Sequence, residues 1–202
     1  MVIIKLKILQ AQLESMFSLD NISVNQFFQL EEGKAKEYIQ LQSMLNPKNS
    51  FQRKKLNTIR SLSFEEVGEL KRCIINPTYH NLINAFKIVF KVKEIQIVTS
   101  DIISFFYALK WIQQEVKTVF EKEKQLIPTP DADMENAGAT RLAAFGEMST
   151  LINLGKKFSI APQEIAKWSY NIVYAILLYE KVENEVQKKY MKLKSNKNGR
   201  KR

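Results

Sequence analysis

The chain has 202 residues and a formal net charge of +10, with 45% hydrophobic and 26% charged residues, which suits one domain, or one domain with arms, around a sizeable core. Its one cysteine, Cys73, excludes an intramolecular disulfide framework and a multi-cysteine zinc or iron–sulfur site. Six glycines and five prolines are too few for a sandwich or barrel made of many tight turns.

The opening, MVIIKLKILQAQLESMF, alternates over Ile4-Lys5-Leu6-Lys7-Ile8 and then takes helical spacing at Ile8, Leu9, Leu13, Met16 and Phe17. Mostly helix is expected. Lys5 and Lys7 interrupt it and no small-residue cleavage site follows, so it does not read as a secretory signal. Ser23 can cap a second helix carrying Phe27, Phe28, Leu30, Tyr38, Leu41 and Leu45. That helix should stop near Asn46-Pro47, because the residue before proline disfavours the α region. PKNSFQRKK at 47–55 reads as a polar, basic linker. It would separate an N-terminal helical arm or hairpin, residues 1–60, from a helical core, residues 61–190.

Ser63-Phe64-Glu65-Glu66 is a capping box, opening a helix with Val67, Leu70 and Ile74 that ends at Asn76-Pro77. Thr78 can cap the next, with Leu82, Ile83, Phe86, Val89 and Phe90 on its inner side. VKEIQIVTS at 92–100 reads as a connector. Ser100-Asp101 starts the clearest helix, where Ile102, Phe105, Leu109, Ile112, Val116 and Val119 recur at steps of three and four. Pro128 and Pro130 end it. The last long helix should begin at Ala161-Pro162 and bury the stripe Ile165, Trp168, Ile172, Ala175, Ile176, Tyr179, Val182 and Val186. Beyond Tyr190 apolar residues run out, and a disordered tail is expected over 191–202. The fold class implied is all-α: an irregular bundle of five to seven helices, with the 101–126 and 162–190 helices at its centre.

Little in the chain resembles chemistry. In IPTPDADMENAGATRLAAFGEM, at 127–148, Asp131, Asp133 and Glu135 suggest a calcium loop. Such a loop needs Gly at position six and Glu at position twelve, and Asn136 and Leu142 stand there. A helix start fits better: Thr129 as cap, Pro130 at the first position, and two acids against the positive end of the helix dipole. Behind them Ala139, Ala143, Gly146 and Thr150 step by four, three and four, which on one helix makes a small face for close helix packing. Gly146 inside a helix needs a packing reason or a break to offset its cost. Gly155, followed by Lys156 and Lys157, reads as a helix C-terminus.

Cys73 and His80, the only histidine, could in principle pair as nucleophile and base, but no orienting or oxyanion motif accompanies them. They read as a small core residue and an early-helix polar residue. No phosphate-loop, nucleophile-elbow, zincin or kinase signature occurs. The chain therefore reads as a non-enzyme, with no catalytic residue, cofactor or metal ligand.

Eight basic residues and no acid fill 188–202: Lys188, Lys189, Lys192, Lys194, Lys197, Arg200, Lys201 and Arg202. Taking these from +10 leaves +2 for residues 1–187, so the basic signal belongs to the tail. The tail is either a solvated end without a partner or a polyanion contact, to nucleic acid through phosphate neutralisation. No aromatic follows Tyr190, so base stacking is not suggested. No apolar run reaches the ~18–20 residues a membrane span needs, and no membrane partner is expected.

The stretches SFEEVGELKRCI, FFYALKWIQQEVKTVFEKEKQLI, NAGATRLAAFGEMSTLINLGKKF and EIAKWSYNIVYAILLYEK set the cadence of residues 63–190. It resembles small helical proteins of bacteriophage late gene modules, from the tail-assembly and virion-structural region. The resemblance implies an assembly or virion role through protein–protein contacts. Partners would be other phage structural proteins or copies of the chain itself, in the host cytoplasm during assembly or in the virion. Periodicity and charge alone imply only a helical binding protein.

Overall fold

A computed structural model describes residues 21–127 and 138–199. Among them the chain is mostly helical, with one small antiparallel hairpin and nine α-helices rather than five to seven. The extra helices arise because two expected helices are each broken and one connector coils. The expected N-terminal helix and the helix start at Pro130 lie outside the described residues. The described residues form two units, each drawn from separate stretches of sequence: 21–57 with Cys73–Gln114, and Thr58–Arg72 with the described residues from Glu115 on. Residues 21–57 thus share a unit with 73–114, which differs from the expected boundary at residue 60.

The first unit contains α1 (Val24–Phe27), α2 (Glu32–Met44), β1 (Ser50–Phe51), β2 (Lys54–Lys55), α4 (Tyr79–Phe90) and α5 (Glu94–Val98). It also holds the end of α3 (Phe64–Ile75) and the first half of α6 (Ile102–Lys124). Local caps form as the sequence dictates. Ser23 Oγ accepts from the Gln26 amide at 3.3 Å while Gln26 Oε1 accepts from the Ser23 amide at 2.8 Å. Thr78 Oγ1 accepts from the Asn81 amide at 3.2 Å, and Asp101 Oδ2 from the Ser104 amide at 2.8 Å. The connector 92–100 supplies the five-residue α5.

The helix expected from Ser23 to Asn46 breaks over residues 28–31. The Phe27 and Tyr38 rings meet at 5.8 Å. Eleven residues of straight helix would set them about 16 Å apart along the axis, so their contact requires a turn between them. Both feed a cluster of rings. Phe27 meets Phe106 edge-on at 5.3 Å. Phe86 stacks on Phe105 at 4.3 Å and meets Phe51 at 4.8 Å. Each such pair adds about 0.5–1.5 kcal/mol beyond the area it buries.

Residues 47–55 are not a linker. Ser50 pairs with Lys55 and Phe51 with Lys54, closing a two-residue turn at Gln52-Arg53. Their φ values, 47° and 63°, are the type I′ signature. The hairpin is fixed by Phe51, which is buried among the rings, and by the Lys48 amide, which donates to the Tyr107 carbonyl at 3.0 Å.

The second unit contains most of α3, the second half of α6, α7 (Glu147–Phe158), α8 (Pro162–Ala166) and α9 (Tyr170–Gly199), with short 3-10 turns at Ile59–Ser61 and Ala139–Phe145. The Ser63/Glu66 capping box opens α3: the Ser63 amide donates to Glu66 Oε2 at 2.9 Å and the Glu66 amide to Ser63 Oγ at 3.2 Å. The helix expected from Pro162 breaks at residues 167–169. There the Trp168 carbonyl accepts from the Phe64 amide at 2.8 Å and the Tyr170 amide donates to the Leu62 carbonyl at 2.9 Å. A backbone bridge between Ser63 and Ser169 takes the groups that a continuous helix would use internally.

Gly155 does not end its helix. α7 continues to Phe158 and closes with Ser159 in the left-handed region, φ 54°. The Ser159 and Ile160 amides both donate to the Gly155 carbonyl, so the glycine carbonyl serves the cap four residues on. Helix α9 does not stop near Tyr190 but runs through Gly199. The Lys, Glu, Gln and Met residues after Tyr179 are good helix formers and sustain it, although residues 182–191 are exposed. Arg200, Lys201 and Arg202 lie outside the described residues.

Candidate functional site

Among the described residues, helix α9 carries a long run of exposed apolar side chains. Its first turns are packed: Tyr170 and Val173 are buried, the Tyr174 hydroxyl donates to Gln125 Oε1 at 3.0 Å, and Lys181 Nζ donates to the Gln125 carbonyl at 2.7 Å. Glu180 pairs with Lys157 at 2.7 Å. The outer face is different. Ile172, Tyr179, Val182, Val186, Tyr190 and Leu193 are each at least half exposed. With Ala175, also exposed, they step by three, four, three, four, four and three. Those steps keep them on one side of the helix, as the seam of a coiled coil. Of the stripe that the sequence places in a core, Ile165 is buried and Trp168 and Ile176 are half-buried, whereas Ile172, Ala175, Tyr179, Val182 and Val186 are open in the single chain. Packing instead uses Tyr170 and Val173, and the break at 167–169 is what turns these two inward.

Charge is sorted along the same helix. Glu180, Glu183 and Glu185 precede Lys188, Lys189, Lys192, Lys194 and Lys197, and no acid follows Glu185. These five tail lysines are thus mounted on the helix, which runs to Gly199.

A second arrangement in this unit joins residues far apart in sequence. Lys71, on α3, is largely buried and bridges two carboxylates: Glu123 Oε1 at 2.8 Å and Glu147 Oε1 at 2.7 Å. The Tyr170 hydroxyl donates to Glu123 Oε1 at 3.2 Å, and Arg72 reaches Glu147 at 3.4 Å. Two glycines make the geometry. Gly146, at φ 49° and ψ −130°, takes a backbone shape that side chains resist and starts α7 so that Glu147 comes first. Gly68 leaves the space on α3 that the Glu147 carboxylate fills; a Cβ there would collide with it. Burial alone would lower the Lys71 pKa, but hydrogen bonds and charge from Glu123 and Glu147 outweigh it and hold the ammonium above the ordinary lysine value. Burial, reinforced by the Glu123 charge, pushes the Tyr170 hydroxyl up as well. Beside the network is a cavity of about 290 Å³. Its apolar walls include Phe64, Tyr174 and Leu177, and Phe64 stacks near-parallel on Tyr170 at 6.2 Å. With its charges mutually satisfied, the network acts first as a structural clasp joining α3, α6, α7 and α9.

The small-residue face is not formed as one helical surface. Ala139 lies in the 3-10 segment with Ala143, Gly146 is a break with open space around it, and Thr150 belongs to α7, beside the cavity. The break, rather than packing, accounts for Gly146. Cys73 is buried and its sulfur accepts from Asn84 Nδ2 at 3.7 Å, whereas His80 is exposed. Among the described residues no group of three His, Cys, Asp or Glu side chains is placed to hold a metal ion. No described helix is long and apolar enough to cross a membrane.

Comparison with protein-family models, with curated proteins and with solved structures finds no match to this chain.

Proposed function

We propose that this chain is a non-enzymatic assembly protein that acts through protein–protein contact, and that the contact is with a second copy of itself along α9. The open seam from Ile172 to Leu193 carries the proposal. Its three- and four-residue steps fit another helix of the same spacing. Charge selects the orientation. An antiparallel partner in register about Gln187, sharing the Val182–Leu193 part of the seam, sets Lys189 and Lys194 of one helix against Glu185 and Glu180 of the other, whereas a parallel partner sets like against like. The setting implied by the resemblance is a bacteriophage particle or its assembly, with other phage structural proteins as further partners.

Sedimentation of the full chain tests the contact. The expected mass is twice 23.5 kDa, falling to one chain in a Val182→Glu, Val186→Glu variant. Added salt should weaken the dimer, because opposite charges are screened. A parent chain that stays monomeric, or a dimer strengthened by salt, overturns the proposal. Recovery of the chain with purified virions tests the setting.

A second reading rests on the acid-free run Lys188, Lys189, Lys192, Lys194 and Lys197 continuing to Arg200, Lys201 and Arg202: a nucleic-acid contact by the tail. Replacing these eight by Gln should then lower affinity for DNA or RNA and flatten its salt dependence. Equal binding by both chains removes the tail from the reading.

A further inference from the structure

The first unit holds a concentration of positive charge in the stretch that reads, by composition, as a linker. From Tyr38 to Asn57 the chain carries Lys48, Arg53, Lys54 and Lys55 and no acid. Folding gathers three of these cations. Lys48, Arg53 and Lys55 line an open concavity of about 550 Å³ together with Ser50, Gln52 and Ser104. None of the three has an ion-pair partner among the described residues, in contrast to Lys36, Lys71, Lys87 and Lys157. No carboxylate lines the concavity; the nearby Asp101 carboxylate caps α6 through the Ser104 amide.

The cations are also held in place. Lys48 is bonded through its backbone to the Tyr107 carbonyl and lays its ammonium 3.8 Å from the Tyr107 ring centroid. Arg53 occupies a two-residue turn, where a left-handed backbone fixes its direction. Gln52 Nε2 donates to the Gln96 carbonyl at 3.4 Å, and Phe51 anchors the strand in the core. The Ser50 and Ser104 hydroxyls add hydrogen-bond donors to the three charges.

We infer that this hairpin concavity is a phosphate-binding site, filled by the phosphates of a nucleic-acid backbone or of a free nucleotide. Three positive groups without an ion-pair partner among the described residues, on a hairpin that is anchored at both sides, match a ligand with several anionic oxygens. This inference is independent of the α9 dimer, since no residue of α9 takes part.

The test uses the full chain and measures binding of a labelled single-stranded oligonucleotide, a duplex of the same sequence, and ATP, across salt concentrations. The variant is Lys48→Gln, Arg53→Gln, Lys55→Gln. Its control is Lys34→Gln, Lys54→Gln, Lys93→Gln, which makes the same change in net charge away from the concavity. The control should keep the parental salt slope, and the variant's slope should fall by about two to three, near one for each cation removed from a phosphate. Weakening confined to the oligonucleotides identifies a backbone; weakening that extends to ATP identifies the phosphate group itself. Circular dichroism of both variants confirms that each is folded. No binding of any of the three ligands by the parent, or equal weakening in variant and control, overturns the inference.

Discussion

The two units close their interiors by different means. In the first, rings do the closing: Phe27, Phe51, Phe86, Phe90, Phe105 and Phe106 are all buried, and the one buried polar side chain among the described residues, Ser100, satisfies itself on the Ile97 carbonyl. In the second, an ammonium shared by two carboxylates stands beside the apolar contacts. An apolar core loses stability in proportion to what is cut from it. An ion-pair core fails when one partner goes, because the other charges remain without compensation. It also answers to pH, which a cluster of phenylalanines does not.

Three substitutions and one titration separate these behaviours. Phe86→Ala should have the largest effect, about 3–5 kcal/mol in urea denaturation, since it empties a fully buried ring site in contact with Phe51, Phe90 and Phe105. Lys71→Met should cost about 2–3 kcal/mol, less than for a fully buried pair because Glu123 and Glu147 are partly exposed. If Lys71→Met proves neutral, the clasp contributes only volume. Lys71 and Tyr170 both have pKa values raised by folding. Their stabilisation is complete below the unfolded values of about 10, and it falls as pH rises through the folded ones. Denaturation midpoints should therefore decline in alkali, and Lys71→Met should make the decline shallower. Gly155→Ala should cost least, about 1 kcal/mol net. Its Cβ would lie 2.8 Å from the Ile160 carbonyl oxygen, a backbone atom that cannot step aside, and this outweighs the better helix propensity of alanine.

What the sequence made legible was local. Caps at Ser23, Ser63, Thr78 and Asp101 and the inner face of α6 follow from residues within a turn or two of each other. Breaks were not legible where distant backbone or rings impose them, as Phe27 with Tyr38 and Ser63 with Ser169 do. The turn at Gln52-Arg53 lacks the Asn-Gly signal that announces a type I′ hairpin. The α9 stripe was visible as spacing, but three- and four-residue steps read alike whether a face is covered by its own chain or left open. Residues 71, 123, 147 and 170 share no local motif. One signal did point to the clasp: Lys71 follows Leu70 and stands four residues after Val67, both fully buried, which places a charge on the rim of the inward face of α3.

The turn of the hairpin has a consequence for anyone who would improve this protein. Gln52 and Arg53 both occupy backbone space that glycine and asparagine enter with less strain. Asn-Gly in their place should yield a more robust first unit, while discarding the guanidinium at the concavity's edge. Selection for thermal resistance alone would drift toward that replacement and erase the recognition surface without disturbing the fold. Directed evolution of this chain therefore needs a ligand in the screen.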